Sequence, residues 1–441
     1  MMFDWAAQPF FTVITTFIFA PYFTTVVISD STAGLAYWGF AASAAGVLIA
    51  IGSPLLGAIA DGAGPRKPWI AGFALIKIIG VAGLWFAVPQ ADSGIILQTV
   101  LLFTMATVAA EFSIVFNDSM MVSLVPPKDH GRISNLAWGL GYLGGMIMLI
   151  IVVGFLSAPA DTGKTLLGLA PLFGLDPALH QAERLAGPLA AAWYLLFILP
   201  MFLFTPDRPR QQPLRQAVRG GLKVLWATII SLRQRIELAK FLIARMFYQD
   251  GLNGLLILGG AFAAGLFGWQ IMEVGLFGII INIVAIFGCG LASRLDGLWG
   301  SKTIILCALA ILILATLGII STGPGYTFFA ISLDITDNGG LFATTAERVY
   351  LVYGCLVGLA FGPIQASSRS FLSRSVSARE AGRFFGLYAL TGRATSFLAP
   401  LTVATLTSLS GSAHVGMSAL IVFFVIGAVI LAVSAYPGND Q

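Results

Sequence analysis

Charge is what this chain has least of. Asp, Glu, Lys and Arg make up 10% of its 441 residues, where a soluble domain carries about 25%. With 58% hydrophobic residues and a mean hydropathy of +0.90, that absence excludes a soluble globular fold and leaves an integral membrane protein. Histidine and cysteine are scarce too, at three residues each. Cys289, Cys307 and Cys355 lie in or near apolar runs without metal-type spacing. They read as buried packing groups, and neither a metal nor a cofactor is expected. His130, His180 and His414 fall in the loops between runs. An intramembrane enzyme would then lack paired metal ligands or a Ser/His couple, so no catalytic residue is expected. No GxxxxGK[ST] loop occurs, which argues against ATP drive by this chain. No basic residue precedes Arg66, so the first apolar run is expected to be a retained span and not a cleaved leader.

What is present in quantity is long apolar runs. They are about twenty residues each, the length of a bilayer-spanning helix, and lack the short alternation of barrel strands. Twelve are expected, near 5–28, 35–60, 68–88, 95–125, 133–157, 188–205, 239–265, 272–293, 303–322, 346–369, 383–409 and 415–435. An even number puts both termini on one side. With the termini inside, only Lys164, Arg184 and Arg348 fall outside, while Lys77, Arg245 and Arg393 lie within spans. Every other basic residue is then cytoplasmic, as the positive-inside rule requires of a multi-pass protein of the cell (inner) membrane. The net charge of +4 is therefore a topology signal, and lipid, not nucleic acid, is the expected surround.

The gap from Pro206 to Ile236 divides the runs six and six, giving halves at 1–205 and 238–441 around a cytoplasmic linker at 206–237. Within it Leu214, Val218, Leu222 and Leu225 recur at helical spacing among Arg215, Arg219 and Lys223, which reads as a basic amphipathic helix on the inner leaflet. It serves either as a tether between halves or as a regulatory site. Of the two long outside gaps, Ser157–Gly187 contains Asp176-Pro177, a cap and first-turn proline that predict a short helix. Gly323–Thr345 is rich in Gly, Thr and Asp.

The halves repeat. Asp61 precedes Lys67 by six residues, as Asp296 does Lys302; Gly131-Arg132-x3-Leu136-x4-Gly141 recurs as Gly382-Arg383-x3-Leu387-x4-Gly392; Asp4 and Asp250 occupy comparable early positions in the first and seventh runs. From Asp61 to Asp296 is 235 residues, from Gly131 to Gly382 is 251, and from Asp4 to Asp250 is 246, so three marks agree on one duplication. Parallel repeats of six spans are a known transporter architecture.

Six ionisable residues sit within the runs: Lys77, Glu111, Asp118, Arg245, Asp250 and Arg393. Each costs about 2.5–3.5 kcal/mol at a helix centre on the insertion scale, which argues for mutual pairing or a wet cavity. Glu111 and Asp118 are seven apart and share one helix face. Asp250 lies ten residues past Lys240 and Arg393 ten past Arg383, so unbroken helices would carry both about 15 Å deep. Lys77, Asp118 and Arg245 read as structural charge partners, Lys77 turning inward to a carboxylate such as Glu111. Glu111, Asp250 and Arg393 read as functional. Gly139-x-Gly141-x-x-Gly144-Gly145 permits close helix packing.

Phe361 to Pro400, Phe3-Asp4-Trp5-Ala6, Phe247-Tyr248-Gln249-Asp250-Gly251, and Gly131-Arg132 followed by Gly139 to Gly145 together resemble the vacuole-effluxer-like branch of the major facilitator superfamily. That branch includes fungal autophagy-linked amino-acid effluxers and bacterial relatives, and the resemblance covers nearly the whole chain. It implies an all-α fold of twelve spans in two pseudo-symmetric halves, with spans one, four, seven and ten lining a central cavity. Glu111, Asp118, Asp250, Asn253, Gln365 and Ser368 lie on those spans. Together with Arg393, all but the structural Asp118 are candidates for a substrate or proton pathway. The segment Gly57-Ala58-Ile59-Ala60-Asp61-Gly62-Ala63-Gly64-Pro65-Arg66-Lys67 is similar to the superfamily's signature loop, although Pro65 separates its second glycine from the basic pair. The second copy keeps Asp296, Gly300 and Lys302 but has Ser301 where a basic residue stands. An ordinary charged turn would account for either copy alone. Two copies at matching spacing favour a cytoplasmic latch made by Asp61, Arg66, Lys67, Asp296 and Lys302.

The resemblance implies a monomeric secondary transporter working by alternating access, with proton-linked efflux of amino acids or small peptides. A sugar, muropeptide or drug permease of the same superfamily is the alternative within that class. A transport-inactive receptor or scaffold is the alternative outside it.

Overall fold

The computed structural model describes residues 1–158, 163–269, 271–335 and 339–435; 159–162 and 336–338, in the two long gaps at 157–187 and 323–345, lie outside the described residues. Helix dominates, as it must where lipid offers backbone groups no hydrogen-bond partner. α1 (Met2–Pro9) and α2 (Phe19–Tyr22) are joined and extended by π-helical turns at Phe10–Phe17 and Phe23–Val27. There follow α3 (Ser31–Ala63), α4 (Lys67–Gly83), α5 (Ser93–Leu124), α6 (His130–Ile151) and α7 (Gln181–Phe204). After α8 (Leu214–Ser231) in the linker come α9 (Ile236–Phe267), α10 (Ile271–Ile320), α11 (Thr345–Ser375), α12 (Ala381–Thr391), α13 (Leu398–Ser410) and α14 (Ala413–Ala432). Among the described residues, ten helical stretches are long and apolar enough to cross a bilayer.

Two departures separate that number from the twelve expected runs. The runs at 272–293 and 303–322 fuse into the 50-residue α10, where only Gly300, at φ 78° and ψ 156°, leaves helical geometry. The run at 383–409 is instead cut in two. α12 stops at Thr391, residues 392–397 form turns, and α13 starts at Leu398. Proline explains the cut. Pro400 fits the first turn of α13, where its missing N–H is no loss, but its ring would clash with the Ser396 carbonyl if the helix ran through. Arg393 thus lies in a helix break and not on the unbroken helix its spacing suggested.

Smaller corrections concern histidine and cysteine. His130 opens α6 and is buried, and His414 lies in the first turn of α14 with Nδ1 2.7 Å from the Ile320 carbonyl, so neither is a loop residue. Cys289 is buried but Cys307 is exposed. In the two long gaps, Asp176 accepts a hydrogen bond from the Ala178 N–H and starts a short 3-10 turn, Pro177–Leu179. Tyr326–Thr327 pairs antiparallel with Ile331–Ser332.

The helices gather into two compact units. The first contains Met1–Leu124, Leu140–Lys223 and Ala378–Ala389. Its core includes Phe3, Ile49, Ile70, Phe116 and Tyr194. The glycines of α6 serve the close packing their spacing predicts, with Gly141 against the Asp4 backbone, Gly144 against Trp5 and Gly145 against Thr12. The second unit contains Val125–Gly139, Val224–Ser377 and the chain from Leu390 onward. There α10 and α11 touch backbone to backbone, Gly288 on Leu359 and Gly358 on Ile281, and Phe241 stacks on Phe371 at 4.3 Å.

Candidate functional site

In the first unit the last turn of α3 carries Asp61, 6% exposed. Its carboxylate accepts hydrogen bonds from the backbone N–H groups of Gly382 (2.9 Å) and Arg383 (2.8 Å) at the start of α12. Those N–H groups have no partner within their own helix, and a helix N-terminus favours an anion. The third partner is Arg66, which pairs with Asp61, donates through Nε to Ser119 Oγ at 3.2 Å and binds the Ala60 carbonyl. Burial pushes this guanidinium below the usual arginine range, and the Asp61 carboxylate offsets that. Gly64, at φ 101°, turns the chain back so that Arg66 meets Asp61. Gly382 is needed for another reason: a Cβ there would stand 2.7 Å from the Asp61 carboxylate.

The second unit repeats the device with one exchange. Asp296 presses on Gly131 at the start of α6, where any Cβ would collide with its carboxylate. Ser301, at the position matching Arg66, donates to Asp296 Oδ2 at 2.8 Å, and Ser367 donates to it at 3.0 Å. The missing cation comes from α11: Arg374 Nη1 is 2.9 Å from Asp296 Oδ1. Arg374 also donates to the Pro127 carbonyl, while Arg369 donates to Ser134 Oγ and the Ser134 carbonyl. His130 Nδ1 is 2.7 Å from Ser373 Oγ. The recurring Gly-Arg pairs noted in the sequence are thus the docking points of the two recurring aspartates.

The two lysines of these loops do something else. Lys67 Nζ donates to the Phe202 carbonyl near the end of α7, and Lys302 Nζ to the Ala432 and Ser434 carbonyls at the end of α14. Both satisfy carbonyls that a helix end leaves without partners.

A third cluster, in the second unit, surrounds Asp250 on α9. Asp250 is 1% exposed, and one of its carboxylate oxygens is buried without a hydrogen bond. The Thr395 hydroxyl, on the break between α12 and α13, lies beside that carboxylate. Arg393 is half-buried on the same break. Arg245 donates to Thr391 Oγ1 at 2.9 Å and lies against Gly392, a place where the α12 C-terminus favours a cation. Gln249 donates to Asn253 at 3.1 Å. The Tyr248 and Ser368 hydroxyls are 2.7 Å apart, and Ser368 donates to the Ile364 carbonyl. Gln365 is half-buried on α11.

Glu111 and Lys77 belong to the first unit. Lys77, 2% exposed, has Nζ 3.8 Å from the centroid of the Tyr194 ring, and Glu111 is the charged group acting on it. Asp118, buried two turns further along α5, lies 3.4 Å from the Asn117 amide. The structure therefore joins Asp250, Asn253, Arg245 and the Arg393 segment in one unit, and places Lys77 within the electrostatic reach of Glu111 in the other. Sequence reasoning missed Arg374, Ser134, Ser367, His130 and Ser373 as parts of the second aspartate cluster. The one signal for Arg374 was the serine at position 301, which left an aspartate wanting a cation.

This fold is that of major facilitator transporters. The Escherichia coli fucose:proton symporter superposes with a TM-score of 0.68 at 14% identity, covering 98% of this chain and 96% of that one. The proton:xylose symporter XylE superposes with a TM-score of 0.67 at 13% identity, covering 98% and 92%. The chain belongs to the family described as "Vacuole effluxer Atg22 like", which matches residues 22–437. It is 28% identical over 442 residues to YxiO of Bacillus subtilis, named an uncharacterized MFS-type transporter, covering 98% of this chain and 93% of that one. It is 25% identical over 295 residues to autophagy-related protein 22-2 of Aspergillus clavatus, covering 64% of this chain but only 44% of the fungal one. The chain is accordingly a multi-pass membrane transporter and not an enzyme.

Proposed function

We propose that this transporter exports amino acids or small peptides by alternating access, driven by a proton that Asp250 carries. The observation that supports the reading most directly is the buried Asp250 oxygen beside the α12–α13 break. Broken helices are where transporters of several folds place substrate and coupling-ion sites. In this reading the Asp250 carboxylate takes up a proton when it is closed off from water and releases it when its half opens. Arg393, on the break, serves in this reading to hold a substrate carboxylate in its planar fork or to tune the Asp250 proton. In this reading the Gly300 turn divides one of the ten long stretches in two, and α12 and α13 together make the twelfth span, with both termini cytoplasmic. Asp61 and Asp296 then latch the cytoplasmic side.

The test is flux in proteoliposomes. Purified chain should exchange labelled amino acids or short peptides across the bilayer and accumulate them against a pH gradient. Exchange of sugars, muropeptide fragments or drugs in their place would move the substrate class. No flux of any solute across such a panel would favour a receptor or scaffold.

A further inference from the structure

The linker helix α8 has three lengthwise rows. Ala217, Gly221 and Thr228 form a buried row, with Ala217 in a small core with Ile59 and Ala63 of α3, and with Gly221 against Ile59 and Leu55. Beside it runs an exposed apolar row, Val218, Leu222 and Trp226, at 50%, 68% and 66% exposure. Beyond that, Arg215, Arg219 and Lys223 repeat every four residues and so share one face. All three are exposed and make no ion pair among the described residues.

The same linker is fastened to the Asp61 cluster. Asp207 accepts hydrogen bonds from the Arg66 and Lys67 backbone N–H groups, each at 2.9 Å, and so caps α4. The Gln211 N–H donates to the Ala63 carbonyl, and the Gln212 side chain lies against Gly62.

We propose that α8 is a binding surface for anionic phospholipid headgroups, and that Asp207 transmits their occupancy to the Asp61 cluster. The occupant follows from the two free rows together. Exposed leucine and tryptophan beside unpaired cations suit the acyl-headgroup boundary, where an apolar face sinks and basic residues meet phosphate. The cytoplasmic leaflet supplies the negative charge, with roughly a five-fold gain in affinity expected per basic residue. The inference rests on the transport reading only for the side of the membrane on which α8 lies.

The experiment uses the full chain in nanodiscs of phosphatidylcholine with or without phosphatidylglycerol, and reads lipid retention by native mass spectrometry alongside the melting temperature. Wild-type chain should retain phosphatidylglycerol preferentially and melt higher in its presence. Arg215→Gln/Arg219→Gln/Lys223→Gln should lose the preference, about five-fold per residue, while melting like wild type in phosphatidylcholine. Leu222→Gln/Trp226→Gln should weaken retention too, which a purely ionic contact would not show. Asp207→Ala should keep the bound lipid but lose the rise in melting temperature. A wild-type chain without lipid preference, or a triple variant that retains it, overturns the proposal. Displacement by millimolar inorganic phosphate would assign the cations to a soluble anion and overturn it equally. None of these readings depends on flux, so the lipid site and the transport reading fail separately.

Discussion

Asp296 and Arg374 form an ion pair of 2.9 Å in which the aspartate side chain is wholly buried and the arginine nearly so. In the first unit the equivalent cation, Arg66, comes from the aspartate's own loop, five residues on. In the second unit it comes from the far end of α11, because Ser301 cannot supply it. The duplication has kept the buried carboxylate and replaced its partner. A buried charge tolerates that exchange but not the loss of the partner, since an unpaired carboxylate in the interior is strongly disfavoured.

Arg374→Gln should therefore destabilise the chain by about 3–5 kcal/mol, the usual cost of removing one partner of a buried pair. Adding Ser301→Arg should recover much of that, because position 301 corresponds to Arg66. Thermal unfolding in detergent of both single variants and the double one measures the coupling. Strict additivity would show that Arg374 stabilises through its contacts with the Pro127 carbonyl and not through Asp296.

Neutralising either aspartate should shift the transporter toward inward-open states. Asp61→Asn removes the charge that Gly382 and Arg383 hold at the start of α12, and Asp296→Asn does the same at Gly131. In the folded protein, cysteines on the cytoplasmic side of the spans should become more reactive to soluble reagents, with a lower melting temperature from the arginine left unpaired. Gly382→Ala should behave like Asp61→Asn, because its Cβ would crowd the same carboxylate. Unchanged reactivity in all three would leave these loops as ordinary charged turns.

Asp250→Asn should keep substrate exchange and lose the response to a pH gradient. An amide cannot release the proton that couples the two fluxes. Thr395→Val should alter the pH dependence of transport without abolishing exchange, since it removes the hydroxyl beside that carboxylate. Arg393→Lys should weaken substrate binding, for an ammonium lacks the guanidinium's fork. A full gradient response in Asp250→Asn would move the coupling role to Glu111.

Single cysteines at Leu179 and Gln211, both exposed, test the orientation. In a background without Cys307, an impermeant maleimide applied to intact cells should label position 179 and spare position 211. The opposite pattern would place the termini and α8 outside.

Composition and run length were enough to show a helical membrane protein, because crossing lipid demands about twenty apolar residues and few charges. The glycine-framed aspartates and the motifs from Phe3 to Pro400 were enough to indicate the family. Asp61 and Asp296 stood out because their spacing to Lys67 and Lys302 repeats. Their partners did not stand out. Gly382 lies 321 residues from Asp61, and Arg374 and Ser367 lie on a different helix from Asp296. In a membrane helix the faces toward lipid and toward protein are equally apolar, so hydropathy does not say which helices meet. The α12–α13 break was hidden for a related reason. Residues 392–397 sit inside a run whose hydropathy reads the same whether the backbone is wound or not. Gly392 and Pro400 were visible, but proline within a span is compatible with either a kink or a stop. Only the packed structure, in which Arg245 backs onto the end of α12 and Asp250 faces Thr395, decided for the stop.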